Sequence, residues 1–242
     1  MAKTRLRTTN RVQSKRRLTV EKPRRRASRL NPEARRQQLL ACALRVFARR
    51  GLGEGRHAEI AKEGKVAVAT VFVYFPTRKA LVDAVLDEVA RFYLEMARRS
   101  HGRRDLPANE VLLRHAEEFS ASVVTHEDYA RVWLDWSTSI REGVWPRYLE
   151  FQREVVEIIA ETIARGQREG NIQAHLDPHF AALFVISAAH MVAQLQFSHQ
   201  PPHVLSGFVQ TLMDAVTLRG APAPSASPNR PTLRVRWHHP NA

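Results

Sequence analysis

With one cysteine, Cys42, in 242 residues, the chain has no internal disulfide, and its fold must be held by packing and not by covalent staples. A lone cysteine on an apolar helical face, with no activating neighbours in view, reads as a small core residue. Long apolar runs are also lacking. The longest, AALFVISAAHMVA from Ala181 to Ala193, falls short of the roughly 20 residues that cross a bilayer and carries His190, so a buried helix is expected there and no membrane partner. No apolar segment leading to a small-residue cleavage site follows the basic N-terminus, so a secretory signal is not expected. The expected location is the cytoplasm.

Convergent catalytic chemistry is missing too. The eleven histidines are scattered. His175 and His179 have helical spacing, but Pro178 interrupts the helix that would align them on a metal, so neither metal nor other cofactor is expected. The glycines of GLGEGR follow a helical pattern and not a strand, so they do not form a phosphate-binding loop, and no nucleophile elbow is present. An enzyme is not expected.

Acidic residues are nearly absent from one end only. Residues 1–30 hold twelve Lys or Arg against the single acid Glu21, so this arm carries +11 of the formal +14. Such a charge implies a polyanionic partner, most simply nucleic acid. The arm has almost no apolar periodicity and is expected to be disordered until it meets that partner. The same expectation holds for the tail 220–242, which contains five of the thirteen prolines. The 44% hydrophobic content is ordinary for a globular core between them.

That middle reads as helix nearly throughout. Asn31 offers an N-cap, Pro32 a first helical residue, and Leu39, Leu40, Ala43, Leu44 and Phe47 recur at three- and four-residue spacing as far as Gly51. A short helix is expected over His57–Glu63, ended by Gly64. A long one, capped by Thr77, carries Leu81, Val82, Val85, Leu86, Val89, Phe92 and Tyr93. Further helices are expected over roughly 107–125, 127–142, 146–169, 177–198 and 202–218.

The stretch VAVATVFVYF, from Val66 to Phe75, is ambiguous because its β-branched and aromatic content has strand propensity. A lone strand among helices would leave its backbone groups unpaired. The spacing of Ile60, Ala61, Val66, Val71 and Tyr74 instead suits the inward residues of a helix-turn-helix unit, with a second helix over Ala67–Phe75. No Asp or Glu lies on that helix, as suits a surface approaching phosphates. The fold class expected is all-α: an arm over 1–30, a DNA-binding unit over 31–79, a helical regulatory and dimerisation unit over 80–219 and a tail over 220–242.

ATVFVYFPTRKALVDAVL, with Phe47 to Gly51 and Ile60 to Ala61 before it, resembles the DNA-binding domain of the TetR family. VWLDWSTSIREGVWP (Val132 to Pro146) and FARRGLGEGRHAEIA resemble one subgroup, the quorum-sensing master regulators of the HapR, LuxR and SmcR type. The resemblance implies a homodimeric DNA-binding regulator with three DNA-binding helices and about six regulatory ones, and a cavity in the regulatory half. The subgroup has Asn where this chain has Val73, Ser where it has Ala67, and an arm arginine where it has Ala27.

Double-stranded DNA would then meet Ala67, Val68, Ala69 and Val73 as apolar contacts to thymine methyl groups. Thr70, Tyr74 and Arg78 would contact phosphates, and Arg26 and Arg29 the minor groove. Two wide apolar helical stripes, Ala181 to Gln194 and Val204 to Val216, are expected to form a dimer interface with a second copy. Phe92, Trp133, Trp136 and Phe151, with Gln152 as a polar fixer, are either plain core or the lining of a pocket for a small apolar ligand. A quorum-sensing-type global regulator is one reading, and a ligand-gated local repressor of efflux or catabolic genes is the alternative. A protein that binds RNA or membrane through the arm alone would be a third class.

Overall fold

The computed structural model describes residues 31–140 and 143–217, and these form nine helices with no strand among them. They are α1 (Pro32–Arg50), α2 (His57–Gly64), α3 (Val68–Tyr74), α4 (Arg78–His101), α5 (Ala108–Thr125), α6 (Glu127–Thr138), α7 (Trp145–Glu169), α8 (Pro178–Phe197) and α9 (Pro202–Val216). The basic arm, with Arg26 and Arg29, and the proline-rich tail lie outside the described residues.

Helix starts follow local capping chemistry. Asn31 Oδ1 accepts the Ala34 N–H at 2.7 Å and Thr77 Oγ1 accepts that of Ala80 at 3.0 Å, so each satisfies a first-turn donor that has no intrahelical partner. Asp177 does the same for His179 and Phe180 at 2.9 and 3.0 Å.

The ambiguous stretch is a helix, α3. Its Val71 is fully buried with Ile60 and Ala61 of α2, while Val66 and Tyr74 are half-buried at its margins. The turn before it departs from the expected glycine stop. Gly64 is still helical, and the left-handed residue is Lys65, at φ 52°. Gly64 serves close packing instead, since a Cβ there would stand 3.1 Å from Leu39 Cδ2 of α1.

The helix expected over 127–142 also stops early, at Thr138. The Thr138 and Ser139 hydroxyls donate back to the Asp135 carbonyl at 3.1 and 2.7 Å, a local alternative to further helix.

α1, α2 and α3 form a head that rests on α4 and, through α1, on α6. α5, α7, α8 and α9 build the rest of the bundle. The expected boundary at residue 79 falls in the first turn of α4, and one hydrophobic core runs unbroken from Leu39 to Val216. α8 is 20 residues long with a mean hydropathy of 1.6, which by length and composition suffices to cross a membrane. The expectation that its apolar run was too short is corrected on that count, because apolar residues outside Ala181–Ala193 extend it. In the fold it packs against α7, α5 and α9.

Candidate nucleic-acid interface

α3 turns a nearly all-apolar face to the outside. Ala67, Val68, Ala69, Phe72 and Val73 are exposed, Val73 at 74%, and no acid lies between Glu63 and Asp83. The hydroxyls of Thr70 and Tyr74 flank this face half-buried and make no hydrogen bond within the described residues. The sequence reading missed Phe72, whose ring stacks on His57 at 4.2 Å and 5°, while His57 Nε2 meets the Phe75 carbonyl at 2.8 Å. The signal was available: Phe72 stands four residues after Val68, on the same helical face. Exposed Lys65 adds a cation at the turn leading into α3.

Arg78 has a structural task that its place in the sequence does not reveal. Its guanidinium donates to the Leu52 carbonyl and, at 2.7 Å, to that of Gly53, in the loop between α1 and α2. Asp135 of α6 accepts the Leu52 N–H at 2.6 Å. Leu52 is thus clamped on both sides of its backbone, which fixes the loop to α4 and α6 together. Within the head, Glu63 of α2 takes Arg45 and Arg49 of α1. Burial pushes its carboxyl pKa up, but these two arginines outweigh that and hold it below the ordinary value.

In the regulatory half, α4, α5, α7 and α8 surround a cavity of about 70 Å³. Trp133, Phe151 and Gln152 line it as expected. Phe92 and Trp136 do not. Phe92 packs on the rings of His126 and Tyr129 at 4.9 and 4.4 Å. Trp136 is buried against Phe151 at 5.5 Å and donates its indole N–H to the Val144 carbonyl at 3.0 Å. Tyr93 and His115, both missed, stand on the wall. His115 left a trace in the sequence, because it occupies a core-facing position among Val111, Leu112 and Phe119.

Cys42 is buried, and burial raises its thiol pKa above the ordinary value, in keeping with a core residue. His179 pairs with Glu157 at 3.2 Å. On α8, Phe180, Leu183, Phe184 and Met191 share an exposed apolar face, Phe180 at 75%.

Comparison with known proteins agrees with this architecture. Residues 39–85 match the family of bacterial regulatory proteins of the tetR type, and residues 105–194 match the tetracyclin repressor-like C-terminal domain. The chain is 37% identical over 158 residues to the HTH-type transcriptional regulator LuxR of Vibrio harveyi, covering 65% of this chain and 77% of that protein. Among solved structures, a regulator from Saccharomonospora viridis in complex with choline superposes with a TM-score of 0.67 at 22% identity, over 77% of this chain and all of that one. The regulator FadR from Bacillus subtilis in complex with stearoyl-CoA gives 0.61 at 20%, over 74% and 95%. A helix-turn-helix head with an acid-free outer helix, a helical C-terminal domain and these matches together place the chain in the TetR family of DNA-binding transcriptional regulators, which are not enzymes.

Proposed function

We propose that the protein acts as a homodimer on a pseudo-palindromic operator, each copy laying α3 in a major groove, the two half-sites ~34 Å apart. The observation that carries this reading is the outer face of α3, exposed, free of acids and poor in polar groups. Ala67, Val68, Ala69 and Val73 meet thymine methyl groups. The unpartnered hydroxyls of Thr70 and Tyr74 donate to phosphates, and Arg78 adds its N–H groups not engaged on the loop. Arg26 and Arg29 enter an A/T-rich minor groove next to the head, where their charge reads groove width. Much of the selectivity then comes from DNA shape. In this reading the protein works in the cytoplasm on the nucleoid, as a global regulator of the quorum-sensing type.

Selection of bound duplexes from a randomised operator library tests the assignment. The expected product is a pseudo-palindrome with A/T-rich flanks, and Arg29→Ala should weaken binding to it. A library that yields no consensus, or an unchanged affinity for the variant, would count against this account.

The cavity favours a second element, control by a small apolar ligand, as in a local repressor of efflux or catabolic genes. The ligand would have to bind the DNA-competent and incompetent arrangements with different affinity. α4 connects the two regions, since it bears Tyr93 on the cavity wall and Arg78 on the loop of the head. Release of the purified protein from its operator by a ligand would establish this reading over control by abundance alone.

A further inference from the structure

We propose that the cavity takes a small, neutral, largely apolar molecule with one hydroxyl-type head group, which Tyr93 Oη, His115 Nδ1 and the Gln152 amide recognise by hydrogen bonds. The inference rests on reading the cavity as a ligand site and adds the chemistry of what fills it.

Tyr93, His115 and Gln152 line this space, and the first two carry a sealed side-chain atom with no hydrogen bond among the described residues. Tyr93 is 6% exposed and its Oη is sealed from solvent without a hydrogen bond. The nearby Ser122 hydroxyl donates to the Phe119 carbonyl at 2.7 Å, so it has only its oxygen to offer Tyr93, whose phenol pKa burial raises and Ser122 lowers in part. His115 Nδ1 is likewise sealed and unpaired. The Gln152 amide, also on the wall, makes no hydrogen bond within the described residues. Buried polar groups are almost always satisfied, and leaving one unmet is costly, so two on one wall, with the half-buried Gln152 amide beside them, mark a place where an outside group completes the set. Tyrosine and amide can each donate or accept, and a neutral imidazole does one or the other at Nδ1, so a hydroxyl, which does both, is the simplest match.

Charge is excluded by the rest of the wall. Apart from Tyr93, Tyr148 and His115, no titratable side chain lines the cavity, and burial raises the pKa of both phenols, which keeps them neutral. Burial first, then His115 and Arg165, hold His101 down at about 2, and burial holds His115 at about 4, with Glu118 pulling it up and Arg99 pushing it down. Arg99 and Glu118, just behind His115, are engaged with each other, and Glu118 also takes the Ser100 hydroxyl at 2.6 Å. A carboxylate would find no counter-charge here and an ammonium no anion, and either would lose its hydration uncompensated. Size sets a further limit. About 70 Å³ is far below the few hundred that drug-sized ligands fill, and it suits a molecule of about the size of phenol. Phe119, Trp133, Phe151 and Ile186 supply the apolar body of the site.

The test uses the full-length protein with phenol, benzene and benzoate as probes, read by calorimetry and by the fluorescence of Trp133 on the cavity wall. Phenol should bind one per chain, benzene at least tenfold more weakly, and benzoate not at all. Tyr93→Phe removes only the unpaired hydroxyl. It should raise the melting temperature of the free protein while weakening phenol at least fivefold and leaving benzene unchanged, a pairing that a purely structural tyrosine would not give. Gln152→Leu should weaken phenol in the same way. Equal binding of phenol and benzene, unchanged in both variants, would overturn the polar head while leaving the cavity as a ligand site. Failure of every probe to bind would overturn the ligand site itself and the inference with it, the polar wall then being met by water.

Discussion

Val73 is the most exposed large hydrophobic residue of α3, at 74%, and it stands where a base-reading side chain is expected. Its two methyl groups can meet thymine but cannot hydrogen-bond a base edge. Val73→Asn restores a bidentate partner for adenine, and such a pair discriminates by roughly 1–3 kcal/mol. The variant should therefore select a library consensus with a new adenine preference at one position of each half-site, at unchanged melting temperature because the residue packs against nothing. An unchanged consensus would show that residue 73 does not face the bases. Single residues were legible in the sequence where their role is local. Val73 and Ala67 were placed on the outer face from spacing alone, and Asn31 and Thr77 were identified as caps. Arg78 was legible only as a surface cation, because its acceptors, the Leu52 and Gly53 carbonyls, lie some 25 residues earlier and meet it only in the fold.

Between elements, the clamp on Leu52 ties the loop of the head to both α4 and α6 through backbone groups. Asp135→Ala removes a charged acceptor from a buried-side N–H and should cost about 1.5–3 kcal/mol of stability. Operator affinity should fall by more than the lost stability accounts for, because the loop that orients α2 and α3 is freed. Melting curves and operator titrations on the same sample separate the two, and a loss of stability with full affinity would confine Asp135 to a purely structural role. Where α4 meets α5, the rings of His101 and His115 lie 4.7 Å apart, tilted by 59°, and are held neutral at about 2 and about 4 against an ordinary 6.5. The unfolded chain therefore binds up to two protons more than the native one below pH 6.5. Stability is whole above that pH and falls as the pH drops, by up to about 3 kcal/mol per unit until His115 itself titrates near 4. Denaturant melts between pH 7 and 5 should show this slope, and His115→Leu should roughly halve it. The helices themselves were legible, since caps and apolar spacing are local. The left-handed Lys65 and the early end of α6 were not, as both turn on backbone geometry that residue type does not dictate.

At the scale of the whole molecule, one feature of the bundle has no use in a single copy. Phe180, Leu183, Phe184 and Met191 lie along one face of α8 at helical spacing, exposed to solvent, while the opposite side of that helix packs on α7 and α5. Contiguous exposed apolar surface of this kind marks an interface, and a two-fold axis that sets α8 and α9 against their own copies would cover it with the same residues from both sides. The sequence showed the stripes but not which side was spare, because a helix apolar all round gives no direction until its neighbours are in place. Phe184→Glu puts a carboxylate in the middle of this face, at a residue that is neither on α3 nor among those lining the cavity. It should leave the helical content and the melting of a single chain near normal but shift the protein to monomer in sedimentation equilibrium. Since a monomer meets only one half-site, operator affinity should drop at least a hundredfold, while binding to an isolated half-site stays the same. A variant that remains dimeric would move the interface elsewhere on the molecule. A monomer that still holds the full operator at the original affinity would mean that two heads are not needed for recognition, and the palindromic reading would fall with it.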